Sequence, residues 1–131
     1  MASIRSGTEP SRQAQDAGGP AGMLRRALLA VVELGAHASV LVLAGHAFLA
    51  RAVADPDVLA LYRTGGAAVH REIAALVTAA SGSGGGADTE AHILLGLARG
   101  PADGVLVGVL DLAGAAAVLD HQLARIGITA R

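Results

Sequence analysis

Between two long aliphatic runs the chain carries Ala54, Asp55, Pro56, Asp57 and Val58, a succession that few backbones accommodate. Proline has no N–H to donate and a φ fixed near −65°, so it suits the first position of a helix and not its interior. Asp55 then stands where a carboxylate caps the first free amides, and Asp57 adds negative charge at the positive end of the helix dipole. The chain must therefore turn a corner at residues 54–56 and start a new helix there. Val58, Leu61, Tyr62, Gly65, Val69, Ile73, Leu76 and Val77 share one broad face of that helix, with Arg63, Arg71 and Glu72 elsewhere, and the pattern runs to about Ala80.

The rest of the chain reads in the same period. Residues 1–22 are polar and rich in Gly, Pro and Ser, which predicts a disordered lead-in. Helical periodicity opens at Met23, with Gly35 as the expected interruption, and residues 34–52 read as one helix that is apolar on nearly all sides. "SGSGGGA", residues 81–87, reads as a flexible connection. Asp88 or Thr89 is expected to cap the next helix, and Pro101 to kink or break it. Asp111 caps a last helix in which Leu112, Ala116, Leu119, Leu123 and Ile126 have the spacing of a helix-pairing seam. The expectation is an all-α fold, a bundle of about five to six helices in one domain over residues 23–128. Composition agrees: 53% of the 131 residues are apolar, yet there is one Phe, one Tyr and no Trp, so the core must be built of small and branched aliphatic side chains that favour helices over a sheet.

Several functions are excluded by what the residues lack. With no cysteine there is no disulfide framework, thiolate metal site or cysteine nucleophile, which suits a cytoplasmic setting. The formal charge of −1, with every cation an arginine, offers no basic stripe for nucleic acid. "GSGGGA", residues 82–87, matches the glycine pattern of a dinucleotide-binding turn, but the fingerprint needs a strand before it and helix precedes it here. No two of His37, His46, His70, His92 and His121 sit at the spacings that put two metal ligands on one helical face. No nucleophile elbow is present, and the carboxylate pairs fall at helix starts, where the dipole accounts for them. An enzyme, a metal site and a cofactor are thus not expected. The alternative is a small membrane-associated helical protein, since residues 34–50 are free of Asp, Glu and Arg; but the histidines there and Asp111 in the second apolar run sit more easily in a bundle outside lipid.

The order of features resembles the ligand-binding and dimerisation half of TetR-family transcriptional regulators. The resemblance is carried by "VLVLAGHAFLARAVADPDVLALYRTGGAAVHREIAALV" (residues 40–77), by "DTEAHILLGLARG" (88–100) and by "AAAVLDHQLARIG" (115–127), the last similar to the family's final dimer helix. Where family members often read "LADG", this chain has Leu97, Ala98, Arg99 and Gly100, followed by Pro101. The family's helix-turn-helix DNA-binding domain is not expected in residues 1–22, so the resemblance implies an effector domain that does not itself bind an operator. It further implies an apolar effector pocket drawing on His46, Phe48, Tyr62, His70 and His92. It implies a homodimer, or a heterodimer with an intact relative, in which Val105, Val109, Leu112, Ala116, Leu119, Leu123 and Ile126 meet a second chain.

Overall fold

The computed structural model describes residues 18–37, 39–82 and 84–129. Among these the fold is all-α: α1 (Gly19–His37), α2 (Ser39–Ala52), α3 (Pro56–Ser81), α4 (Ala87–Leu106) and α5 (Leu112–Arg125). The first helix starts at Gly19 rather than Met23, taking the last part of the expected lead-in into the fold; residues 1–17 lie outside the described residues. Gly35 does not interrupt it. The first helix is described to His37 and the second from Ser39, so Leu34 belongs to α1 and Phe48 to α2; Ala38, where the expected 34–52 helix would continue, lies outside the described residues.

The corner at Asp55 forms as its residues dictate. Asp55 is extended (φ −124°, ψ 110°), its Oδ1 accepts from the N–H of Asp57 at 3.0 Å and of Val58 at 3.4 Å, and Pro56 takes the first helical position. The far end of α3 is closed by Gly82 in the left-handed conformation, whose N–H donates to the carbonyl of Thr78. Neither Asp88 nor Thr89 caps α4. Gly86, at φ 79°, occupies the cap position, and Asp88 and Glu90 lie inside the first turn. Pro101 does not end the helix either: α4 continues to Leu106. Proline removes one N–H, which would have reached the carbonyl of Leu97, while the buried alanines on either side, Ala98 and Ala102, hold the segment against the rest of the molecule. Asp111 caps α5 as expected, Oδ1 accepting from the Gly114 N–H at 2.7 Å. Beyond α5, Gly127 turns the chain so that the Ile128 N–H donates to the Leu123 carbonyl at 2.8 Å and the Ile128 side chain is buried.

The core follows from four helical stripes. α1 contributes Leu24, Leu28 and Val32, one residue per turn along one face, and α5 contributes Ala115, Leu119 and Leu123 in the same spacing. α3 adds Ile73, Ala74 and Val77; α4, at the centre, adds Ala91, Leu94, Leu95 and Ala98, mixing small and large so that its neighbours approach closely. Each fully buried leucine contributes about 1.5–3 kcal/mol from apolar burial. α2 stands apart: it packs on α1 and α3, and of its described side chains only Ala52 is buried.

No helix among the described residues is long and apolar enough to cross a membrane.

Candidate ligand-binding cleft

The peripheral seat of α2 leaves a cleft between it and the body of the bundle. α1 lines it with Val31 and Leu34, and α2 with Gly45, His46 and Leu49; Tyr62 of α3 and Arg99, Ala102 and Asp103 of α4 complete it. Its volume is about 400 Å³, within the range of small-molecule sites. A second lobe of about 340 Å³ adjoins it, sharing Tyr62 and Arg99 and adding Phe48, Leu61, Gly65, Gly66 and Val69. The Asp55 corner explains why these residues meet, because it folds α3 back beside α2 and brings the Tyr62 ring to 6.4 Å from that of Phe48, centre to centre, with the planes at 30°. That is an ordinary packing distance for an aromatic pair.

One polar contact spans the rim. His46 Nε2 of α2 lies 3.3 Å from Asp103 Oδ1 of α4, an ion pair when the imidazole is protonated, and both side chains are more than half exposed. Arg99 stands one turn before Asp103 on α4. Carboxylate and guanidinium at that spacing ordinarily pair on a helix surface. Here Asp103 faces His46, and among the described residues the Arg99 guanidinium has no ion pair and no hydrogen bond.

Of the five residues expected in the pocket, His46, Phe48 and Tyr62 are thus brought together and His70 and His92 are not part of the two lobes. Those two histidines instead meet one another, rings 4.0 Å apart and tilted by 36°, where α3 packs on the first turns of α4. His70 Nε2 is 3.5 Å from Asp88 Oδ1, and its side chain is 17% exposed. Among the described residues its Nδ1 is buried without a hydrogen-bond partner, as is Oε2 of Glu90. Among the described residues no three His, Asp or Glu side chains are placed to hold a metal ion. His121 lies on the outer side of α5, beside Gln122 and Arg125, and the side chain of His37 lies outside the described residues.

Sequence reasoning missed Arg99 and Asp103. Arg99 stood only as a departure from a familiar tetrapeptide, although its place four residues before Asp103 put both on one face of α4.

The expected dimer seam is corrected by burial. Leu119 and Leu123 are 0% and 3% exposed within a single chain, enclosed by α1, α4 and their own helix, so neither is free to meet a second molecule. Their spacing is that of a pairing seam, but the partner is the chain itself. Val105 and Ile126 are half-buried against the same core and Ala116 is half-buried. Only Val109, 80% exposed, and Leu112, 38% exposed, present large apolar side chains to solvent from the expected set, beside Val107. No family model matches the chain, and neither does any curated protein or solved structure.

Proposed function

We propose that this chain is an effector-binding and dimerisation domain of the TetR type, which takes a small apolar molecule into the cleft between α2 and the bundle. The observation that supports the reading is the meeting of His46, Phe48 and Tyr62 around one two-lobed cleft. Those residues come from two helices joined by the Asp55 corner, and the TetR resemblance rests on that corner and its flanks. Aliphatic walls with a few polar groups at the rim suit a hydrophobic ligand whose orientation is fixed at one end. The role needs no cofactor, and no nucleic-acid contact is assigned to these helices.

In the dimer, the contact is made by Val109 and Leu112 with the adjoining Val107, in place of the leucines now assigned to the core. Sedimentation of the purified chain is expected to show a species of twice the chain mass, and the double change Val109→Glu, Leu112→Glu to convert it to a folded monomer. The pocket is tested by Phe48→Trp, whose emission is expected to shift when a panel of apolar compounds is titrated in. A flat response across the panel overturns the pocket, and a parent chain that sediments as a monomer overturns the dimer.

A further inference from the structure

We propose that the ligand of this cleft is an amphiphile bearing a single carboxylate, with a hydrocarbon body of medium length, held by Arg99. The proposal rests on the reading of the cleft as an effector pocket and goes on to assign the chemistry of the effector.

The cleft pairs an apolar body with one uncompensated cation. Val31, Leu34 and Leu49 offer only hydrocarbon, whereas Arg99 borders both lobes with its guanidinium unpaired among the described residues. Its nearest carboxylate along α4 is drawn away: Asp103 is engaged across the rim by His46 at 3.3 Å. A guanidinium left in this way presents a planar fork of N–H donors matched to the two oxygens of a carboxylate. One cation suffices for one negative charge. A doubly charged phosphate would ask for more positive charge than one guanidinium supplies. The volume of about 400 Å³ sets the scale of the hydrocarbon, at the small end of ligand sites. Tyr62, like Arg99, lines both lobes.

Tyr62 also supplies the readout. It is the single tyrosine of a chain without tryptophan, so intrinsic emission reports on this cleft alone. Decanoate, 1-decanol and decyltrimethylammonium are titrated into the parent chain and into Arg99→Gln. Decanoate is expected to bind the parent about tenfold or more tighter than decanol, the scale of a charge-assisted hydrogen bond, and the ammonium more weakly than either. In Arg99→Gln, decanoate falls to the level of decanol while decanol itself is unchanged, which also shows that the variant is folded. Shortening decanoate to octanoate costs about fourfold for each methylene lost. If decanol binds as tightly as decanoate, and Arg99→Gln changes neither, the carboxylate assignment is overturned while the apolar cleft stands. If Tyr62 responds to none of the three, both the assignment and the effector-pocket reading fall.

Discussion

Arg25 of α1 holds Asp120 of α5 by both prongs of its guanidinium: Nε donates to Oδ1 at 2.6 Å and Nη2 to Oδ2 at 3.0 Å, across 95 residues of sequence. The hydrogen bonds from Arg25, with a lesser contribution from its charge, hold the Asp120 carboxylate below the usual aspartate range, and burial opposes them in part. The two side chains are 35% and 48% exposed, so solvent screens the pair and its contribution is at most about 1 kcal/mol.

Asp120→Asn is therefore expected to lower unfolding free energy in urea by about 0.5–1 kcal/mol at neutral pH, with a smaller loss in high salt. The sign of the pH dependence follows from a depressed folded-state pKa. The stabilisation is complete above the ordinary aspartate value of about 3.9 and is lost as pH falls through the lowered one. Parent and variant should thus converge only in acid below that ordinary value. A difference that persists unchanged there would show that the ion pair is not its source.

Two helix glycines should respond in opposite directions to the same change. A methyl group built on Gly65, inside α3 at the cleft, meets nothing within 4 Å, so Gly65→Ala should gain about 0.5–1 kcal/mol from helix propensity and unfolded-state entropy. On Gly114 the methyl would lie 2.8 Å from Leu110 Cδ1 and 3.0 Å from Asp111 Oδ1, the atom that caps α5 through the Gly114 N–H itself. Gly114→Ala is expected to lower Tm where Gly65→Ala raises it. Equal gains at both sites would mean that the cap tolerates displacement.

Leu119 tests the division between core and surface. As a fully buried leucine, its replacement by alanine should cost about 2–5 kcal/mol. The loss should appear in denaturant unfolding with no change of sedimentation in the folded state. A Leu119→Ala chain of parental stability but altered mass would return this residue to an interface.

The parts of the fold legible in the sequence were those governed by local chemistry. The Asp55–Pro56 corner, the Asp111 cap and the extent of α3 each depend on a few adjacent residues whose preferences agree. The errors arose where local rules compete with packing. Pro101 is expected to kink or break a helix, yet α4 is not broken there, with Ala98 and Ala102 both buried on either side of it. Gly35 ought to interrupt one and does not. In α5, the period of an apolar stripe states that a face is covered without stating by what, so Leu119 and Leu123 read equally well as seam or core. The cleft divided in the same manner. Phe48 and Tyr62 were within reach because the corner fixes how their helices turn, whereas the meeting of His70 with His92 and of His46 with Asp103 depends on how α4 docks, which no spacing within one helix encodes.

The position of α2 outside the common core makes the domain two cooperative units of unequal strength. Leu94 and Leu119 are released to solvent only when the whole bundle opens, but α2 is tied down by packing on α1 and α3 with Ala52 as its one described buried side chain. Its backbone amides are therefore expected to exchange with deuterium through openings that cost a fraction of global unfolding. On the proposed reading, a molecule seated in the cleft would touch α2 through Gly45, His46 and Leu49 and the bundle through α1, α3 and α4, so it would join the weaker unit to the stronger one and binding would favour the docked position of α2.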